Sequence, residues 1–394
     1  MAEIAQDVVG VRPDMIALRR AIHQQPELAY AETHTARQVL AFLEGHGLSL
    51  RSGLGGTGVL ATAVAAGRRL LLRVDMDGLP IQEETAAAYA SQVPGRMHAC
   101  GHDGHVAMGA AAARLLPGRR LPGSVSVLFQ PAEEGEGGAQ AMVAEGVLEG
   151  VDMVLGIHLW NELPVGTLGV KAGPLMAAVD RLRIVVHGRG GHGAKPHRSA
   201  DPVVAAAHVI TALQTIVSRE VSPVAPAVVT IGSIQGGEAF NVIPDSVTLT
   251  GTIRSFDAEL RRSMPERVSR IASGVAEGLR CRAEVDVRAG NPAVINDPEV
   301  AEIAARAAAR VVGPSNVVSP EPTMGGEDMA VYFERVPGSF VFVGSANAAR
   351  GLDHPHHSPH FDFDEDALAI GCAFLLEFAH EALAPGADSG PGTR

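Results

Sequence analysis

Through the N-terminal part of the chain, short apolar runs alternate with stretches patterned for helices. Arg69 to Asp75 (RLLLRVD), Ser124 to Gln130 (SVSVLFQ) and Asp152 to His158 (DMVLGIH) read as buried strands, and His105 to Leu116 and Gly138 to Leu148 as Ala-rich helices. This alternation predicts an α/β layer with a mostly parallel sheet. In such sheets functional groups gather at the carboxyl ends of strands. Asp75, Asp77, Glu133, Glu134 and His158 all fall at or just past a predicted strand end.

After Gly173-Pro174 the rhythm changes. The order becomes strand (Arg181 to His187), Gly-rich loop, helix (Asp201 to Ser218), strand (Ala227 to Ile234), strand (Ser246 to Ser255), helix (Asp257 to Leu279) and strand (Arg282 to Arg288). This βαββαβ succession is the split βαβ, ferredoxin-like α+β arrangement, which closes on itself as one antiparallel sheet under two helices. It predicts an inserted domain at residues 177–291, with hinges near Ala172 to Val179 and Gly290 to Asn296. Residues 1–176 and 292–384 then form the two parts of one catalytic domain, the second part supplying the apolar strand Ser339 to Gly344. Residues 385–394 (PGADSGPGTR) read as a disordered tail.

Composition narrows the function. The 394 residues suffice for two domains with sizeable cores. A net charge of -12 without any Lys/Arg block argues against a nucleic-acid or anionic-membrane partner and for small-molecule chemistry. Met1 to Asp7 is acidic and lacks an apolar leader core, and no stretch nears the roughly eighteen uninterrupted apolar residues of a membrane span, so the expectation is a cytoplasmic protein. Cys100, Cys281 and Cys372 are odd in number and far apart, which does not suggest a disulfide framework.

The candidate chemistry lies in Met97-His98-Ala99-Cys100-Gly101-His102-Asp103-Gly104-His105 and Gln130-Pro131-Ala132-Glu133-Glu134-Gly135. Cys100 and His102 flank a glycine ahead of a predicted helix, where backbone freedom lets both side chains converge and the helix N-terminus favours a thiolate. Adjacent glutamates at a strand end diverge, so one can bind a metal while the other faces a water. His158 ends a third strand, and His354-Pro355-His356-His357-Ser358-Pro359-His360 carries four of the sixteen histidines. Taken singly, each has a plain structural explanation: a buried thiol beside a capping histidine, a solvated turn, a core histidine, a surface loop with accidental metal affinity. Together, a thiol, several imidazoles and paired carboxylates form the donor set of a borderline-soft divalent ion, with one carboxylate to spare.

These motifs resemble the aminoacylase and hippurate hydrolase family of dinuclear metallopeptidases, in particular its amidohydrolase branch of N-acyl-amino-acid amidohydrolases and auxin-conjugate hydrolases. The likeness runs from Leu18 to about Phe378. It includes Arg19 to Leu28, Asp75-Met76-Asp77-Gly78-Leu79-Pro80, the Cys100 and Glu133 motifs, Gly156-Ile157-His158 and Gly190-Gly191-His192-Gly193-Ala194-Lys195-Pro196-His197. It continues through Phe240 to Asp245, Gly325-Gly326-Glu327-Asp328 and His357-Ser358-Pro359-His360-Phe361-Asp362. Any one motif is weak, but nine in the right order are highly specific.

The resemblance implies two divalent ions per subunit held by Cys100, His102, Glu134, His158 and His357, with Cys100 bridging. It makes Glu133 the general base and acid and Asp77 the carboxylate that orients a ligand histidine. Where other branches carry a ligand histidine, this chain has Asp75, and His356 stands where an apolar residue is expected, so that His354 and His356 compete with His357 as the terminal ligand. His192 would polarise the scissile carbonyl, Asn241 and Arg254 would hold the substrate's carbonyl and carboxylate, and Gly325 and Gly326 would line the substrate site. The inserted domain would act as a lid and pair two subunits into a homodimer. The implied activity is metal-dependent hydrolysis of N-acyl amino acids. A thiolate and three imidazoles favour zinc, with manganese, nickel or cobalt as alternatives. A dipeptidase or carboxypeptidase could use the same centre. A non-catalytic metal-binding relative would be expected to have lost the base, and Glu133 is present.

Overall fold

The computed structural model describes residues 6–135 and 137–384, so the tail at 385–394 lies outside the described residues. The chain folds as two compact units. The first comprises residues up to Leu175, Ile295–Glu321 and the chain from Asp328 on. The second comprises Met176–Val294 with Pro322–Glu327.

The first unit opens with helices α1 (Gln6–His23) and α2 (Thr33–Leu43), then strands β1 (Ser49–Leu54), β2 (Gly58–Ala63) and β3 (Arg68–Asp75). From Leu70 on, every residue of β3 is buried, the near-continuous apolar run expected of a central strand covered on both faces. Helix α3 (His102–Leu115) begins at His102, three residues earlier than its apolar pattern suggests, because Gly101 (φ 85°) turns the chain into it from the left-handed region. Its Ala- and Gly-rich sequence, helix-favouring at the alanines, is buried from His102 to Ala113. Close packing requires the small residues: a Cβ at Gly104 would lie 2.6 Å from Leu159 Cδ1 and 2.7 Å from Phe363 Cζ. Strand β4 (Gly123–Gln130) follows, then α4 (Gly138–Ala144), which stops short of the predicted Leu148 where Gly146 turns to φ 78°. Strand β5 (Met153–Pro164) does not end at His158 as its apolar run implied, since Leu159, Trp160 and Pro164 go on pairing with a later strand. The short β6 (Leu168–Gly169) and β7 (Gly173–Met176) lead onward.

The second unit contains β8 (Ala178–His187), β9 (Gly191–His192), α5 (Pro202–Thr215), β10 (Ala227–Gln235), β11 (Val242–Ile243), β12 (Ser246–Ser255), α6 (Ala258–Gly278) and β13 (Arg282–Ala289). Its antiparallel sheet has the order β10-β12-β8-β13. Along β8, buried Leu182, Ile184 and Val186 alternate with exposed Arg181 and Arg183, the pattern of a sheet covered on one face. That face packs with Ala205, Val209 and Leu213 of α5 and Met264, Val268 and Ala272 of α6. Both helices are capped by aspartate: Asp201 Oδ1 accepts from the Val203 and Val204 amides, and Asp257 from Leu260. The segment Pro202–Glu220 is long and apolar enough, by length and composition alone, to cross a bilayer, but its buried side packs into this core. The small ribbon of β9 and β11 has no counterpart among the predicted elements, being too short to show a period.

The chain returns through β14 (Val294–Asn296), α7 (Pro298–Val312), β15 (Val317–Val318), α8 (Ala330–Phe333), β16 (Gly338–Ala346) and α9 (Asp366–Leu383). The first unit's sheet has the order β1-β2-β4-β3-β5-β16-β6-β15, in which β4, β3, β5 and β16 run parallel and antiparallel strands flank them. The mostly parallel central sheet is therefore present, with its carboxyl ends carrying Asp75, Gln130 and the downstream glutamates. Pro322–Glu327 joins the second unit because the Ala177 amide donates to the carbonyls of Thr323 (3.1 Å) and Gly325 (2.9 Å).

Candidate metal centre

In the first unit, four segments bring their side chains to one place. The loop after β3 supplies Asp77, the start of α3 supplies Cys100 and His102, the turn after β4 supplies Glu133 and Glu134, and β5 supplies His158. The histidine-rich loop before α9 adds His357. Cys100, His102 and His158 are buried, with candidate ligand atoms mutually within 4.8 Å. The same spacing holds for Cys100, Glu134 and His357 and for His102, Glu133 and Glu134. Cys100 belongs to two of these groups. Cys100 Sγ lies 3.4 Å from His158 Nε2, and His357 Nε2 lies 3.2 Å from Glu134 Oε1.

Asp77 organises the glutamate pair. Its Oδ1 accepts the Glu133 amide (3.0 Å) and its Oδ2 the Glu134 amide (3.1 Å), while Oδ1 also lies 3.4 Å from His102 Nδ1. One carboxylate thus holds the backbone of both glutamates and faces a candidate ligand histidine. Ala132 (φ 55°) and His357 (φ 64°) are two of the few non-glycine residues in the left-handed region. Each costs roughly 1–2 kcal/mol, strain that the fold tolerates beside the candidate ligands.

Electrostatics follow from burial among carboxylates. Burial raises the Cys100 thiol pKa, and Glu134, Glu133 and Asp75 push it further up. Burial alone would lower His102, but Asp75, Asp77 and Glu134 outweigh it and raise the imidazole to about 10. Burial, followed by the nearby His105 and His356, holds His158 well below the usual histidine range. The hydrogen bond to Glu134 raises His357.

Of the four histidines in the loop, His357 is the one against Glu134. His356 Nε2 instead donates to the Leu159 carbonyl at 2.9 Å, and the His354 ring lies beside His360 at 5.4 Å between centroids.

In the second unit, His192 and Val242 pair across the β9/β11 ribbon and the Gly193 amide donates to Asn241 O at 2.8 Å, so His192 and Asn241 are neighbours. Both are exposed. Arg254 is half-buried, donating from Nε to Thr252 Oγ1 (3.0 Å) and from Nη1 to Met324 O (3.2 Å). Gly326 is adjacent: a Cβ there would meet Val179 Cγ2 at 2.2 Å and Arg254 Nη1 at 3.6 Å.

The profile of peptidase family M20/M25/M40 matches residues 71–381, most of the chain and both units. The chain belongs to this family. It is 41% identical over 373 residues to an N-acetyl-L-cysteine deacetylase of Bacillus subtilis, covering 94% of this chain and 88% of that one. It is 37% identical over 397 residues to thermostable carboxypeptidase 1 of Saccharolobus solfataricus, covering 97% of each. The crystal structure of the Bacillus subtilis YXEP protein, described as a dinuclear metal binding peptidase from the M20 family, superposes with a TM-score of 0.83 at 38% identity, covering 95% of this chain and 99% of that one. As a member of this family, the protein is a metal-dependent amide hydrolase.

The M20 chain's own atoms fit a metal centre. Nε2 of His102 is buried without a hydrogen-bond partner, a costly arrangement unless a cation takes its lone pair, while Nδ1 faces Asp77 Oδ1 at 3.4 Å. A thiol, imidazoles and carboxylates are the donors such an ion prefers.

Behind the candidate ligands lies a buried network that the sequence motifs leave unassigned. Arg73 donates to Asp75 Oδ2 (2.6 Å), Asp328 Oδ1 (2.6 Å) and Gln130 Oε1 (2.9 Å), and Tyr332 Oη donates to the same Gln130 oxygen (2.7 Å). Asp75 Oδ1 accepts from His105 Nδ1 at 2.6 Å. Opposed to its burial, the charges of His102 and Arg73 and the hydrogen bond from His105 hold Asp75 well below the usual carboxylate range. The available signal was the His102/His105 spacing of three on one helix, which places both rings on one face.

Proposed function

We propose that this enzyme hydrolyses the amide bond of N-acyl amino acids, with two divalent ions held by Cys100, His102, Glu134, His158 and His357. The observation that carries the reading is the Asp77 clamp: it fixes two consecutive glutamates at one site, and only one of them, Glu134, pairs with His357. Bound ions would supply Lewis acidity for the developing oxyanion and a water that ionises near neutral pH. Glu133 takes a proton from the attacking water as the new C–O bond forms. It then returns that proton to the amine nitrogen as the C–N bond breaks, yielding a carboxylate and a free amino acid. His192 donates toward the carbonyl oxygen with Asn241, and Arg254 grips the substrate's carboxylate, with Gly325 and Gly326 lining the substrate site.

The donor set favours zinc, with manganese, nickel or cobalt as the alternatives that reconstitution would separate. The inserted unit, residues 177–291 by the chain's rhythm, is read as a lid and dimerisation domain. In its support, Val203 and Val204 on α5 are 42% and 47% exposed and Phe240 beside the ribbon fully so, the apolar surface expected of a subunit interface. Three free cysteines suit the reducing cytoplasm.

A peptidase reading stands beside this one because of the carboxypeptidase relative. Measuring kcat/KM for hippurate, N-acetyl amino acids, auxin conjugates and dipeptides, with and without chelator, separates them. Acyl amino acids should exceed dipeptides by at least about tenfold, and chelator should abolish turnover. Preference for dipeptides would install the peptidase reading. Absence of hydrolysis by the metal-loaded protein would leave only a binding role.

A further inference from the structure

The Leu159 peptide is gripped from three sides. Its amide donates to His105 Nε2 at 2.8 Å, and its carbonyl accepts from His158 Nδ1 at 2.5 Å and from His356 Nε2 at 2.9 Å. These contacts settle the tautomers. His105 carries its proton on Nδ1, toward Asp75, and His158 carries its proton on Nδ1, which leaves the Nε2 lone pair facing Cys100. His356 carries its own proton on Nε2.

His356 is also wedged between aromatic rings, with centroids 5.1 Å from Trp160, 4.9 Å from Phe361 and 5.2 Å from His158. The next residue, His357, is held in the left-handed region by its amide, which donates to Ala99 O at 2.8 Å. Loop and strand lie far apart in sequence, so the His356 to Leu159 bond ties the segment bearing His357 to the segment bearing His158.

We propose that His356 is a positioning residue that sets the spacing between the His158 and His357 ligands through the shared Leu159 carbonyl. This rests on the ligand assignment made above. A carbonyl oxygen has two lone pairs and here both are used, so the His158 ring and the loop are referenced to the same atom. An apolar residue at position 356 could fill the space but could not make that tie.

The test compares His356→Phe, which keeps a ring and loses the donor, with His356→Gln, which restores an N–H of similar reach. Zinc and cobalt dissociation constants would be measured by chelator competition on the full chain, with the cobalt absorption spectrum and the Tm of the metal-free protein. His356→Phe should weaken at least one ion by about 10- to 100-fold and shift the cobalt spectrum at an unchanged metal-free Tm, with His356→Gln recovering to within about threefold of the parent. Binding of both ions by His356→Phe as tightly as by the parent overturns the proposal. So does a loss shared equally by His356→Gln and matched by a fall in metal-free Tm, which would make the role merely structural. Full ion retention in both His158→Ala and His357→Ala overturns the ligand assignment itself, a result separate from either of these.

Discussion

His102 and His192 each follow a glycine in a Gly-His dipeptide, yet the fold treats them differently. His102 is fully buried at the head of α3. Its helical neighbours are held on both sides: Asp103 accepts from Arg19 Nε (2.7 Å) and His23 Nδ1 (2.8 Å), and His105 is fixed by Asp75. Arg19 and Arg73, both completely buried, are held by the carboxylates of Asp103, Asp362, Asp75 and Asp328 and by the Gln130 amide oxygen, and breaking such a buried pair typically costs about 3–5 kcal/mol. His192, by contrast, sits on an exposed two-residue strand, and its ring Nδ1 accepts the local Ala194 amide at 3.1 Å. One region is buried and held by a dense network of hydrogen bonds. The other presents groups on a surface, as expected of residues that must meet a substrate or another subunit.

If that contrast is right, substitutions in the two units should fail in different ways. The largest effect belongs to Glu133→Gln, which should lower kcat by about 10²- to 10⁴-fold while metal content by elemental analysis stays near the parent's, because the proposed proton carrier is lost and the proposed ligands remain. Loss of metal in that variant would mean that Glu133 and Glu134 have exchanged roles.

Next, His192→Ala should cost about 10²- to 10³-fold in kcat with metal and stability unchanged, as expected on removing one oxyanion donor. Mixing it in equal amounts with Glu133→Gln tests whether His192 serves its partner's site. If the chain is a dimer whose His192 serves the partner's site, half the dimers are then mixed and half of their sites intact, so at most about a quarter of wild-type activity should return. No recovery after verified subunit exchange would confine His192 to its own subunit's chemistry or exclude it.

The smallest effect is on the pH dependence of metal uptake. In the ion-free protein the Cys100 thiol is raised by burial and neighbouring carboxylates, and His102 is raised to about 10 by Asp75, Asp77 and Glu134 against its burial. Both hold protons at neutral pH, and an ion must displace them. Affinity for zinc should therefore rise with pH across the neutral range, by up to about tenfold per pH unit for each proton displaced. Cys100→Ser should remove one proton from that slope, whereas Cys281→Ser, Cys372→Ser and His192→Ala should leave it intact. A slope independent of Cys100 would take the thiol out of the centre.

Much of the first unit was legible because its chemistry follows local rules. Parallel strands buried on both faces show as unbroken apolar runs, and their carboxyl ends mark where Asp75, Asp77, Glu133 and Glu134 emerge. The Gly101 break ahead of an Ala-rich helix marks Cys100 and His102 in the same way. Less of the second unit could be read: its sheet and helices have clear periods, but the ribbon carrying His192 and Asn241 does not.

What the sequence determined by itself was the main strands and helices around the candidate site and in the second unit's sheet, the order of their motifs and the donor types at strand ends, since these depend on period, propensity and neighbouring residues. Only the tertiary structure decided how far β5 runs past His158, that Pro322–Glu327 joins the second unit, that Asp75 pairs with His105, and that His356 and the Leu159 carbonyl meet beside His158. Each of these joins residues distant in the chain through single hydrogen bonds or strand pairings. Such bonds leave no periodic trace in the sequence, because either partner alone is an ordinary buried polar residue, and their geometry exists only once packing has brought both to the same point.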